Sequence, residues 1–244
     1  MDGVRMSQAE PDPERPTGSA VLVHGAMGSP IDWLWVRRPL EAAGLQVVAP
    51  DLPSHGSSTA GLPDDAELVR AAVRECTRPV VVVGWSYGGE VITAAADGEP
   101  AVVGLLYVNT VPRDAGFVED VGWLDGNEHL LWFDDGTYVL DDRWWREDEA
   151  GATFPAEVRE VLRAHPRRRI SPGAMANVQI GAAWRTIPTV VLMGRSDWFL
   201  TDAEHDWMSA QDALDLRMVD CDHFLLFRRP QLVADTVLEL LART

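Results

Sequence analysis

The chain has 244 residues, of which 46% are hydrophobic and 24% charged, enough for one domain with a full hydrophobic core and short for two independent ones. A formal charge of −17 repels phosphate at long range and argues against a nucleic-acid partner. All 21 basic residues are Arg, and the absence of Lys excludes chemistry that needs a Schiff-base lysine, a phosphate-loop lysine or a Ser-Lys dyad.

Residues 1–18 are rich in Pro, Asp and Glu and contain no apolar stretch, so they predict a disordered tail and neither a signal peptide nor a membrane anchor. Beyond them, short apolar runs alternate with longer amphipathic segments. The runs Ala20–Val23, Gln46–Ala49, Val80–Val83, Val102–Val108, Thr189–Met193 and Leu216–Val219 predict strands. Between or after them, Trp33–Ala43, Asp65–Thr77, Gly88–Ala96, Ala203–Ala213 and Gln231–Leu241 predict helices. This alternation predicts an α/β fold with a mostly parallel, doubly wound sheet of about six strands and helices on both faces. One interval, 112–185, breaks the rhythm. It is crowded with Trp, Asp, Glu and Arg and includes Trp123, Trp132, Trp144, Trp145 and Trp184. It is too long for an ordinary connection and predicts an inserted helical cap, leaving 19–111 and 186–244 as the core. Cys76 and Cys221 are too few for a disulfide framework and are expected to be reduced core thiols in a cytoplasmic protein.

Directly after the third predicted strand comes Gly84-Trp85-Ser86-Tyr87-Gly88-Gly89, followed by a helix-compatible run. Gly-x-Ser-x-Gly at a strand-to-helix junction sets the serine on a sharp turn, which glycines two residues away allow by letting backbones approach closely. The new helix points its N-terminal amides at developing negative charge. The bland alternative is a tight glycine turn with a capping serine.

A serine hydroxyl is a weak nucleophile until an imidazole takes its proton, and a carboxylate must hold that imidazole in the right tautomer. Four histidines follow Ser86. His129 and His165 fall in the insertion and His205 in a polar helix, whereas His223 sits on the loop after the last strand, where active sites are built. Asp197 follows the preceding strand and is the favoured acid. Asp114, after the Val102–Val108 strand, is the alternative, and Asp220 and Asp222 are too close in sequence to face the ring easily. The turn His24-Gly25-Ala26 after the first strand is of the type that supplies an oxyanion amide. Ala26 and Tyr87 are therefore the expected amide donors, with His24 a structural turn residue.

These motifs, together with Asp51-Leu52-Pro53-Ser54-His55-Gly56, Gly194-Arg195-Ser196-Asp197 and Asp222-His223-Phe224, resemble the α/β-hydrolase superfamily over nearly the whole chain. Within it, the early first strand and the C-terminal pattern look like the small branch of methylesterases, hydroxynitrile lyases and bacterial esterases. The lyases rely on a lysine that this chain lacks, so the resemblance implies ester hydrolysis. In that family Asp51 and His55 shape the site without catalysing.

The expected enzyme is a serine hydrolase cleaving a small, largely apolar carboxylic ester through an acyl-enzyme, with no metal or organic cofactor. Its partner is the small-molecule substrate, with no nucleic acid and no membrane, and both monomer and homodimer remain open. Met27, Trp85, Trp132, Trp144, Met175, Trp184 and Trp198 are candidates for the pocket wall, although aromatic residues of an insertion can equally form its own core. Lactone opening, carbon–carbon bond hydrolysis and acyl transfer would use the same triad, and a non-catalytic binder could use the same scaffold.

Overall fold

The computed structural model describes residues 17–118, 120–141 and 151–243. Six all-parallel strands form the central sheet in the order β2-β1-β3-β4-β7-β8: β1 (Ser19–Val23), β2 (Gln46–Val48), β3 (Val80–Trp85), β4 (Val102–Val108), β7 (Thr189–Gly194) and β8 (Leu214–Val219). β1, β3 and β7 are buried along their whole length, which is why they read as Val- and Leu-rich runs rather than as an alternating pattern. The connecting helices are α1 (Leu34–Ala42), α2 (Leu62–Glu75), α3 (Tyr87–Ala95), α6 (Asp202–Ser209), the short α7 (Leu225–Arg228) and α8 (Pro230–Ala242). They divide the core into two apolar clusters. One includes Val69, Ile92 and Tyr107, and the other includes Leu40, Leu106 and Val237.

The strand order fixes where a site can form. From β1 the chain moves outward to β2, then returns to β3 on the other side of β1, so the loops leaving β1 and β3 diverge and open a crevice at their carboxyl ends. Both loops carry the residues singled out above.

The segment between β4 and β7 is not purely helical. Beside α4 (Ala156–Ala164) and α5 (Pro172–Met175) it carries an antiparallel hairpin, β5 (Leu130–Trp132) with β6 (Tyr138–Leu140), that the crowding of Trp and Asp concealed. Its turn is closed by Gly136 at φ 79°, a left-handed conformation that glycine adopts freely, and by a hydrogen bond from Phe133 N to Thr137 O. The hairpin is tied to the stretch before α5 through the pair Tyr138 and Ile170.

No helix among the described residues is long and apolar enough to cross a membrane. Cys76 and Cys221 are both free and buried. The expected tail lies almost entirely outside the described residues.

Candidate active site

Ser86 sits between the end of β3 and the first turn of α3 with φ 52° and ψ −125°, a region that non-glycine residues rarely enter. Three close backbone approaches hold it there. A Cβ on Gly84 would overlap the Gly88 carbonyl, one on Gly88 would overlap the Val23 carbonyl, and one on Gly25 would lie 3.1 Å from Ser86 Cβ. The glycines of the motif therefore do two jobs: they permit the turn, and they let the loop after β1 pack directly against it. Ser86 N donates to Val108 O (3.2 Å) and Gly89 N donates to Ser86 O (2.8 Å), which pins the serine from both sides.

The histidine loop reaches the elbow through Trp85. Its indole Nε1 donates to the backbone carbonyl of His223 at 2.9 Å, and the two rings lie 5.7 Å apart. His223 is buried, and its Nδ1 bonds to Asp197 Oδ2 at 2.9 Å. Because an ionised carboxylate only accepts, Nδ1 carries the proton, and Nε2 is the acceptor end in the tautomer this selects. Among the described residues Ser86 Oγ makes no hydrogen bond of its own. Such contacts are often loose in a free enzyme and tighten around substrate.

Asp197 has two further donors. Phe199 N bonds to Oδ1 (3.0 Å), and Asn109 Nδ2 bonds to Oδ2 (2.8 Å). Burial alone would push the Asp197 carboxyl up, but the bonds from His223, Phe199 and Asn109 outweigh it and hold the carboxyl below its ordinary range. Asn109 also reaches the Asp222 carbonyl (3.3 Å), so it spans the acid and the histidine loops. Sequence reasoning missed it. The one available signal was its place at the carboxyl end of a central strand, where it takes φ 50°, a conformation asparagine tolerates better than most residues. Gly194 makes the same junction possible, since a Cβ there would lie 2.6 Å from the Asp222 carbonyl oxygen and 3.0 Å from Asn109 Nδ2.

The alternative acid is elsewhere. Asp114 forms an exposed two-pronged ion pair with Arg185 (2.8 and 2.6 Å), which holds its carboxyl below the usual range. Asp222 accepts from Phe224 N and from Arg228 Nε and so shapes the loop carrying His223.

On the opposite side lies the loop after β1. Its residue Met27 has φ 58°, and Gly28 N closes a turn onto Gly25 O (3.1 Å). Neither the Ala26 nor the Tyr87 amide donates to a protein acceptor among the described residues, and the Tyr87 amide heads a helix. His24 is fully buried and structural. Its Nδ1 bonds to Gly25 O (2.9 Å), its Nε2 accepts from Leu52 N (3.3 Å), and burial pulls its pKa down, keeping the ring neutral. Beneath the elbow, the Tyr87 hydroxyl and the Ser54 hydroxyl both donate to the buried Asp65 carboxylate (2.7 and 2.6 Å). Burial raises the pKa of Asp65 despite these bonds, and raises that of Tyr87 well above the phenol value.

The pocket candidates separate. Trp198 and its neighbour Phe199 are about half exposed and pack around His223, with ring centroids at 5.8 and 4.8 Å, so they flank the imidazole. Trp85 is buried structure under the histidine loop, and Met27 is part of the β1 loop itself. Trp184 is not a pocket wall: it is fully buried against Trp207, with its indole donating to Arg113 O, because the short turn that carries it is pressed onto α3 and α6. Met175 is likewise in the core, and Trp132 lies half-exposed on the hairpin against Tyr138. Trp144 and Trp145 lie outside the described residues. Among the described residues no group of three or more His, Cys, Asp or Glu side chains could hold a metal ion.

Residues 20–236 match the sequence profile of the Alpha/beta hydrolase family. Methylesterase 8 of Arabidopsis thaliana is 24% identical over 90% of this chain and 88% of its own. The pimeloyl-[acyl-carrier protein] methyl ester esterase of Aromatoleum aromaticum is 28% identical over 86% of this chain and 93% of its own. Among solved structures, a pyrethroid hydrolase from Sphingobium faniae JZ-2 superposes with a TM-score of 0.75 at 21% identity, covering 92% of this chain and 97% of that one.

Proposed function

The chain belongs to the alpha/beta hydrolase family, an enzyme of the esterase type, and from that premise we propose that it is a serine hydrolase acting on a small, largely apolar carboxylic ester. The observation that carries this reading is the hydrogen bond from His223 Nδ1 to Asp197, on a loop anchored to the residue before Ser86 by the Trp85 indole. In the proposed reaction Ser86 Oγ attacks the ester carbonyl carbon as His223 Nε2 takes its proton, and the carbonyl oxygen becomes an oxyanion held by the Ala26 and Tyr87 amides. The imidazolium, stabilised by Asp197, then gives that proton to the departing alkoxide. Water repeats the attack on the acyl-enzyme, and the carboxylic acid leaves.

Trp198 and Phe199 beside His223 supply an apolar, aromatic surface where the leaving alcohol is protonated. The relatives are named as a methylesterase and a pimeloyl-[acyl-carrier protein] methyl ester esterase, which supports ester hydrolysis as the reaction class. Lactone opening, carbon–carbon bond hydrolysis and acyl transfer would use the same groups, and a panel of substrates separates them.

The test is Ser86→Ala assayed on p-nitrophenyl butyrate, with a fluorophosphonate probe on the unmodified enzyme. Loss of turnover with an unchanged fold, and labelling of Ser86 alone, is the expected result. Retained hydrolysis would remove Ser86 as nucleophile, and an unlabelled, well-folded enzyme would favour a binder.

A further inference from the structure

Asp32 and Arg167 form a buried ion pair 135 residues apart in sequence. Arg167 Nη2 donates to Oδ1 at 2.6 Å and Nη1 to Oδ2 at 3.0 Å, with the Asp32 side chain fully buried and that of Arg167 only 4% exposed. Asp32 also accepts from Ser29 N (3.1 Å), and a Cβ on Gly28 would lie 2.6 Å from its Oδ2, so the carboxylate is packed against the turn that carries Ala26 and Met27. Arg167 comes from the insertion, in the stretch between α4 and α5. That stretch repeats the attachment: Arg168 N donates to Met27 O (2.9 Å), and the Arg168 side chain pairs with Asp51. From the hairpin, Leu140 N points at Met27 Sδ (3.0 Å).

A buried pair of this kind is a poor way to gain stability, because desolvating two charges offsets most of their attraction. Its geometric effect is definite, however: a two-pronged Arg–carboxylate contact fixes direction as well as distance. We infer that the Asp32–Arg167 pair is a positioning clamp, through which the insertion holds the loop after β1 so that the Ala26 amide is aimed at the oxyanion of the transition state. This rests on Ser86 and the Ala26 amide acting as proposed. It adds that the insertion sets the rate through the oxyanion loop.

The experiment compares Arg167→Met, Arg167→Lys, Asp32→Asn and the double variant Asp32→Leu/Arg167→Met. Each is assayed on p-nitrophenyl butyrate at a temperature where circular dichroism shows it folded. The second readout is the affinity for an aryl trifluoromethyl ketone, whose carbonyl carbon takes the Ser86 oxygen, passing the hydroxyl proton to His223 and leaving an oxyanion on the two amides. Arg167→Met leaves a carboxylate buried and unpaired and is expected to melt lower, whereas the apolar double variant regains melting temperature. If the pair is a clamp, the double variant stays slow, with kcat down on the order of 10²-fold and KM little changed, as expected for a misplacement of about 1 Å. Ketone affinity falls by the same factor, because the analogue reports transition-state binding. Arg167→Lys, which keeps the charge and loses the fork, is also slow.

Recovery of kcat and ketone affinity together with melting temperature in the double variant would overturn the clamp and leave a purely structural pair. If the double variant does not fold, Asp32→Asn decides by the same two readouts. Loss of Ser86 dependence would instead remove the proposed function, so the two failures are distinguishable.

Discussion

Asp197 accepts three hydrogen bonds, from His223, Phe199 N and Asn109, and each has a separate consequence. Replacing it by Asn keeps its size but presents an amide to His223 and favours the wrong tautomer, so kcat should fall by up to about four orders of magnitude. A loss of less than tenfold would mean that the imidazole is oriented by something else. The same bonds depress the Asp197 carboxyl below its usual value of 3.8. A depressed folded-state value means that the carboxylate stabilises the fold above the unfolded value, and that this contribution disappears as pH drops through the folded value. The difference in denaturant unfolding free energy between wild type and Asp197→Asn should therefore shrink as pH falls below 3.8; a gap that failed to shrink below that value would contradict this assignment. The placement of Ser86 at a strand-to-helix turn and of Asp197 beside His223 was legible because each follows a strand in a short, ordered pattern. Asn109 was not, because its role depends on β4 lying beside β7, a fact of register with no local signature.

Elements divide by how locally they are encoded. The central strands β1, β3 and β7 could be read from apolar runs, since strands buried on both faces need nothing else, and the half-buried edge strands β2 and β8 still left Val47-Val48 and Leu216, Met218 and Val219 as a signal. The β5–β6 hairpin was hidden, because burial does not alternate along it: Leu130 and Tyr138 are buried whereas Leu131 and Trp132, on opposite faces of β5, are both exposed, so apolar residues do not mark the inside. The Asp134-Asp135-Gly136 turn was the available clue. Tryptophan content misled for a related reason. A sequence places Trp184 and Trp198 in the same chemical class, whereas the fold buries one under α3 and α6 and leaves the other half exposed beside His223. Trp184→Ala should cost about 3–5 kcal/mol in denaturant unfolding, as for a large aromatic removed from a packed core. Trp198→Ala should leave the unfolding midpoint nearly unchanged and alter KM for esters of bulky alcohols. Equal destabilisation by the two substitutions would contradict their separation.

At the scale of the whole molecule, charge governs which esters can approach. The chain carries −17, and four arginines of the described residues near the site face carboxylates of the protein itself: Arg167 with Asp32, Arg168 with Asp51, Arg113 with Glu204 and Arg228 with Asp222. Three of these four pairings join residues far apart in sequence, so the sequence displays the net charge and an Arg-rich run at 167–169 but not that all three of those side chains stand against acidic partners, the third being Arg169 with Asp135. A negative potential over the crevice weakens binding of an anionic substrate whether or not encounter limits the rate. A carboxylate-bearing ester should therefore show a lower kcat/KM than its neutral isostere at low ionic strength. Raising salt from about 10 mM to about 0.3 M contracts the screening length from roughly 30 Å to under 8 Å, so the ratio of the two kcat/KM values should move toward one. The neutral ester serves as the internal control, because salt effects on the enzyme itself cancel in the ratio. A ratio that ignores salt, or that favours the anion when salt is low, would mean that a basic subsite at the crevice overrides the global field, and the apolar substrate class would have to be replaced by an acidic one.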